Sequence, residues 1–168
     1  LQFTLAEKFE CDEYFEPTMP CNKVAQHLSE LKSQAYPKAL NDNDILLTAD
    51  TVVIAENKIL GKPTDRTQAI SMLKKLSGTS HTVTTGVTLR TNERTYSFSV
   101  DSTVNFRGLT EEEIIYYIDT YRPYDKAGAY GIQEWIGYVA IESIEGSFFN
   151  VMGLPIQRLY VELNEFIS

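Results

Sequence analysis

This chain encodes a single domain, residues 1–168, that mixes α-helices with β-strands. Three observations carry that reading. Its 168 residues, 43% apolar and 23% charged, can close one hydrophobic core and are ordinary for a globular chain. Several segments repeat apolar residues at spacings of three and four behind capping residues, the pattern of amphipathic helices. Two long stretches alternate apolar and polar residues about a short polar turn, which predicts an antiparallel hairpin.

In chain order, Leu1 to Leu5 alternate apolar and polar and predict a short strand. E-C-D-E-Y-F-E-P-T-M-P, from Glu10 to Pro20, is rich in acid and proline and reads as a loop. Asn22 is the expected cap of a helix running to Tyr36 and stopped by Pro37, with Val24, Leu28, Leu31 and Ala35 as its apolar stripe. A β-rich run follows from Ile45 to Ile54. Thr64 is the expected cap of a second helix that buries Ala69, Ile70, Leu73 and Leu76 and stops at Ser77-Gly78. The hairpin pairs Val83–Leu89 with Tyr96–Phe106 across the turn Arg90–Arg94. His81 opens it and reads as a hydrogen-bonded residue at a strand end. Thr110 with Glu113 is a capping box for a helix whose apolar face is Ile114, Ile118 and Tyr121, so the acid run 111–113 has a structural explanation. Tyr138, Ala140 and Ser143-Ile144 suggest one more strand, and G-S-F-F-N-V-M-G-L-P a second glycine-flanked loop. Pro155 starts a last helix burying Ile156, Leu159, Tyr160 and Leu163.

The net charge of −8 argues against binding a nucleic-acid polymer, whose backbone calls for neutralising cations. A nucleotide needs only a few local lysines and a metal ion. No segment is apolar enough to span a membrane and no signal peptide is visible. Cys11 and Cys21 have neither metal-site spacing nor a disulfide framework around them, which predicts a cytoplasmic protein.

Chemistry concentrates in I-L-L-T-A-D-T-V-V-I-A-E-N-K-I-L-G-K-P, from Ile45 to Pro63. Asp50 stands between two apolar, β-branched runs, where an unpaired carboxylate would cost several kcal/mol to bury. It is either satisfied locally by Thr48 or Thr51, or it sits at a strand end facing a cleft, with Lys62 able to reach back toward it. Glu13 lies in an acidic loop of the kind that supplies oxygen ligands to hard cations. Lys32, at the edge of the first helix's stripe, either snorkels or is aimed at an anion. Y-D-K-A-G-A-Y-G-I-Q places Lys126 and Gln133 among glycines that permit close backbone approach to a ligand, although neither a dinucleotide fingerprint nor a P-loop is present.

Eight pieces stand in order along the chain: D-E at Asp12-Glu13, the helix with Lys32, A-D-T-V-V at 49–53, L-G-K-P at 60–63, L-S-G-T-S-H at 76–81, T-G-V at 85–87, D-K-A-G-A-Y-G-I-Q at 125–133 and N-V-M-G-L-P at 150–155. Taken together they resemble the Maf family of nucleoside triphosphate pyrophosphatases. The resemblance implies a mixed α/β fold with an elongated, curved, mixed sheet, flanking helices and two lobes around a nucleotide cleft. It also implies hydrolysis of a nucleoside triphosphate to the monophosphate and pyrophosphate, with Mg²⁺ or Mn²⁺, and a homodimer. Carried over by motif, Asp50 is the proton acceptor for the attacking water, and Glu13, Lys32, Lys62 and Gln133 are the other essential polar positions. Lys32, Lys62 and Lys126 are the expected phosphate contacts, and Glu13 and Asp50 the metal ligands. Asp50 as base and Asp50 as metal ligand stay open. Clustered cations are expected to keep both carboxylates ionised. Thr51 and G-I-Q ending at Gln133 resemble the branch acting on dTTP and UTP, an amide being suited to the edge of a pyrimidine.

The chain departs from the family pattern at its start, where members carry a strand, an S-x-S-P-R-R loop that holds the triphosphate, and a first helix. None of these is in the sequence, and the domain is expected to lack them. Two other readings use the same residues. One is a nucleotide-binding regulator of cell division that need not hydrolyse anything. The other is an aspartyl-phosphate phosphatase, which usually has a second Asp two residues on, where Val52 stands here.

Overall fold

A single five-stranded sheet organises the protein, and its two longest strands are those with the clearest alternation. The computed structural model describes residues 2–168. β1 (Leu46–Ala55) and β2 (Lys58–Leu60) form a tight hairpin through Glu56 and Asn57, both at positive φ. β3 (Ser80–Arg90) and β4 (Thr95–Phe106) form the expected long hairpin, and β5 (Ile141–Glu145) closes the edge. The order is β2-β1-β3-β4-β5, and every ladder is antiparallel where the resemblance implied a mixed sheet. The mixed α/β class itself is as expected.

Strand parity divides the structure. On one face, Val52 of β1 meets Val24, Ala25 and Leu28 of α1 (Cys21–Ala35). On the other, Val53, Val83 and Val104 pack against Leu73 and Leu76 of α2 (Arg66–Leu76) and Ile114, Tyr117 and Ile118 of α3 (Glu111–Tyr121). Val87, Leu89 and Phe98 continue that face under Leu159 and Phe166 of α6 (Ile156–Ile167).

The capping box of α3 is present in full, Thr110 accepting from the Glu113 amide and Glu113 from the Thr110 amide. Other boundaries differ. Residues 2–5 are not a strand, and Leu1 lies outside the described residues. α1 begins at Cys21 behind Pro20, so Asn22 is helical rather than a cap, and Ala35 is exposed. Asp65, not Thr64, caps α2 by accepting from the Gln68 amide. Tyr138 and Ala140 belong to a short helix, α4 (Trp135–Ala140), because Ile136 and Ala140 are buried four residues apart. The glycine-flanked loop contains another, α5 (Phe148–Met152), capped by Ser147 and ended by Gly153 at φ 115°. In α6 the buried face is Leu159, Glu162 and Phe166, whereas Ile156 and Tyr160 face outward. Glu162 tolerates burial because Arg158 pairs with it one turn away.

Candidate active site

Asp50 lies in the middle of β1, not at a strand end, and shares the α1 face with Val52. Its side chain is 12% exposed. What it meets there is decided by how closely α1 approaches the sheet. Asp50 pairs with Gly86 across β1 and β3. A Cβ at Gly86 would stand 2.3 Å from the carbonyl carbon and oxygen of Ala25 and from the amide nitrogen of Gln26, so the helix backbone rests directly on the glycine. The contact is kept by small residues at four-residue intervals, Ala25, Ser29 and Ser33, all buried. Ser29 Oγ shares a hydrogen bond with Thr88 Oγ1 (2.7 Å), and Thr48 Oγ1 donates to the Ser29 carbonyl (2.7 Å). Arg90 donates to both Ser33 Oγ and the Ser33 carbonyl.

Held so, α1 delivers Lys32 between two carboxylates. Its Nζ forms an ion pair with Asp50 Oδ2 and a second with Glu13 Oε1 at 3.3 Å. Glu13 reaches in from the acidic loop and is less buried. The lysine is therefore aimed at charge rather than snorkelling away from it. Asp50 Oδ2 is buried, and its close partner there is the Lys32 ammonium. Burial raises the Asp50 carboxyl above the ordinary carboxylate range. Lys32 offsets part of that effect and Glu13 adds to it. Desolvation thus outweighs the one ammonium in setting the direction for Asp50. Burial on its own would lower the pKa of Lys32, but Asp50 and then Glu13 outweigh it and the net direction is upward.

The remaining candidates form a second group. Lys62 is exposed after β2 and takes part in no ion pair among the described residues. Its turn meets the glycine-rich loop where the Gly128 amide donates to the Gly61 carbonyl (3.1 Å). Lys126 lies between Asp125 (3.1 Å) and Glu134 (3.2 Å). Gln133 is exposed and lines, with Ile132, Tyr138, Ile144 and Phe148, a cleft of about 430 Å³. No ion pair or hydrogen bond joins Lys62, Lys126 or Gln133 to the Asp50 cluster among the described residues. Thr51 is not brought to Asp50 either. It points to the opposite face, where Thr51 Oγ1 and Thr85 Oγ1 share a hydrogen bond (2.8 Å) and Thr85 donates to the Asn150 carbonyl (2.9 Å). His81 is a buried strand-end residue hydrogen-bonded to the Tyr130 hydroxyl (2.7 Å), as its position suggested.

Glu13 and Asp50 fit a divalent cation of the magnesium type. Two carboxylates converge on one position that a cation, the Lys32 ammonium, already occupies. No group of three or more His, Cys, Asp or Glu that could hold a metal occurs among the described residues. Sequence reasoning quoted Thr85, Gly86 and Asn150 within motifs but gave them no role of their own, and it missed the Ala25-Ser29-Ser33 stripe, Tyr117 and Glu134. A glycine inside a strand pattern, facing small residues four apart in a helix, was the available signal for Gly86 and the stripe.

The model of the Maf-like protein family matches residues 2–166. The chain is 54% identical over 146 residues to a dTTP/UTP pyrophosphatase of Porphyromonas gingivalis (strain ATCC 33277), covering 86% of this chain and 73% of that protein. It is 50% identical over 154 residues to a dTTP/UTP pyrophosphatase of Bacteroides thetaiotaomicron, covering 92% and 80%. A dTTP/UTP pyrophosphatase of Flavobacterium johnsoniae is 43% identical over 156 residues, covering 93% and 80%. No helix among the described residues is long and apolar enough to cross a membrane.

Proposed function

The chain belongs to the Maf family, and from that premise we propose that it is a nucleoside triphosphate pyrophosphatase acting on dTTP and UTP. The observation that carries the reading is Lys32 held between Asp50 and Glu13 on the floor of the α1 face. A buried carboxylate beside a cation and a second carboxylate has the parts that hydrolysis of a phosphoanhydride needs.

Asp50 takes a proton from water as the water oxygen bonds to the α-phosphorus. The bond from the α-phosphorus to the bridging oxygen breaks, and pyrophosphate leaves with that oxygen. The monophosphate stays behind. A raised carboxyl pKa makes Asp50 a stronger base than an exposed aspartate, while Lys32 keeps it ionised enough to act. Lys32, Lys62 and Lys126 contact the phosphates. Gln133 reads the pyrimidine edge with its amide. Thr51 acts on substrate choice through Thr85 and the Asn150 segment. Glu13, joined by Asp50 in the alternative where Asp50 is not the base, would hold Mg²⁺ or Mn²⁺, which when bound supplies positive charge to the phosphate oxygens.

The same reading places the protein in the cytoplasm, supported by two free cysteines. It also makes the protein a homodimer, supported by the exposed apolar side chains Phe149, Met152, Ile156 and Tyr160 on α5 and α6. Light scattering that finds only the 19.1 kDa monomer refutes the dimer.

The test is pyrophosphate release by the protein expressed from its complete reading frame. dTTP, UTP and a methylated GTP are each supplied with saturating Mg²⁺ or Mn²⁺. Release from dTTP and UTP is expected, and no release from any of the three refutes the enzyme. Asp50→Asn should abolish release while dTTP still binds. Loss of binding instead assigns Asp50 to holding the cation.

A further inference from the structure

Gln133 is exposed, yet the turn that presents it is held at both ends. The turn runs from Gly131 to Glu134 and is closed by the Glu134 amide donating to the Gly131 carbonyl (3.0 Å), with Ile132 and Gln133 in its middle. Both of its ends meet one atom. The Gly131 amide donates to the Tyr117 hydroxyl (3.0 Å), and that hydroxyl donates to a Glu134 carboxylate oxygen. The second carboxylate oxygen of Glu134 pairs with Lys126 (3.2 Å). The Lys126 stem lies across Gly131, where a Cβ would stand 2.8 Å from its Cε. Tyr117 belongs to α3 and is fully buried, so its oxygen is fixed by the core rather than by the loop. Burial, reinforced by the hydrogen bond to Glu134, pushes its phenol well above the usual tyrosine range, and it remains a donor at any working pH.

We propose that Tyr117 is a specificity-positioning residue: its hydroxyl clamps both ends of the Gly131–Glu134 turn and so sets where the Gln133 amide meets the nucleotide base. This rests on the reading of Gln133 as the residue that contacts the pyrimidine. Glu134 is the second jaw of the clamp, and Lys126 is the strut that steadies Glu134. Two further contacts hold the turn's surroundings. Tyr130, just before it, is tied to His81. Behind it, Gly137 leaves room for the Ile132 carbonyl, which a Cβ would meet at 1.8 Å.

Tyr117→Phe removes one oxygen and keeps the ring. It is expected to lower kcat/KM for dTTP and UTP by roughly 10- to 100-fold, carried by KM, as a misplaced contact group does. The preference for dTTP over dGTP should shrink by a similar factor. Glu134→Gln, which still accepts from the phenol, should lose less than Glu134→Ala. A tyrosine that only stabilises the fold would lower the folded fraction, scaling kcat equally for every nucleotide and leaving KM and preference unchanged. That result overturns the inference. If Tyr117→Phe does not fold, the Glu134 pair decides the matter, and equal preference in both variants overturns it. Trp135, the single tryptophan, follows Glu134 and packs edge-on against Tyr116 at 5.0 Å, so its emission reports on the turn. Should the wild-type protein release no pyrophosphate, the hydrolysis reading fails alone and a Trp135 titration with dTTP decides the clamp. Binding weakened by Tyr117→Phe supports it, unchanged binding overturns it, and no wild-type binding overturns both.

Discussion

Gly86→Ala tests the idea that the candidate active site is set by how closely α1 lies on the sheet. The added Cβ would stand 2.3 Å from backbone atoms of Ala25 and Gln26, where ordinary contact begins near 3.4 Å. Backbone cannot rotate away as a side chain can, so α1 must lift by about 1 Å. Overpacking of this kind costs about 1–3 kcal/mol. At this chain length each ~1 kcal/mol moves the thermal midpoint by ~2–4 °C, so a fall of roughly 2–12 °C is expected. Lys32 rides on the same helix with its Nζ 3.3 Å from Glu13. A further ~1 Å takes that pair past ion-pair distance and loosens the contact with Asp50. A displacement of that size costs about 100-fold in turnover. The assays are the midpoint by circular dichroism and kcat/KM for pyrophosphate release from dTTP, corrected for folded fraction. Gly108→Ala, whose Cβ meets nothing within 4 Å, is the control and should stay within ~0.5 kcal/mol of wild type. A wild-type midpoint for Gly86→Ala would refute the packing argument. A lowered midpoint with unchanged kcat/KM per folded molecule would refute its link to the site.

Two further predictions concern charge. Burial lowers the pKa of His81 from the ordinary 6.5 to about 4, so the unfolded chain takes up the proton first. The stability owed to neutral His81 is complete above pH 6.5 and lost as the pH falls toward 4, roughly 3 kcal/mol in all. Urea midpoints should therefore fall over that window in the wild-type protein and fall less in His81→Asn; parallel curves would refute the assignment. Lys32→Met leaves Asp50 buried without its cation, at a cost of about 3–5 kcal/mol at neutral pH. Because the folded-state pKa of Asp50 is already raised and rises further without Lys32, the native protein holds the proton more firmly than the unfolded chain. The cost should shrink as the pH falls toward the acid range and grow as it rises, and a pH-independent cost would count against the pair.

Much of the fold was legible because single elements declare themselves. The β3–β4 hairpin shows an uninterrupted period of two, and the α3 capping box satisfies its own amides, so both follow from local sequence. Segments that misled are those where one pattern serves two periods. Tyr138 and Ala140 alternate like a strand, yet Ile136 and Ala140 are equally a helical pair, and the contacts of α4 choose the helix. The outward face of α6 went wrong because a buried Glu162, neutralised by Arg158, takes a place that apolarity alone assigns to Tyr160.

The candidate site draws its residue types from the sequence, but its assembly is less legible there. Asp50 and Thr51 are neighbours in the chain, but a strand sends neighbours to opposite faces, so they cannot share one pocket. Counting by two from Asp50 leads to Val52, whose partners are on α1, and that is how Lys32 is found rather than by proximity in sequence. Lys62 was the nearer lysine in the chain, yet its turn is tied to the Gly128 segment and makes no pair with Asp50. What decides between the two lysines is not their charge but a pair of small-residue contacts, Gly86 under Ala25 and Thr88 against Ser29, which carry no chemistry of their own. A substitution there should therefore act on turnover as strongly as one at a charged residue, although nothing in its chemistry would mark it as part of the site.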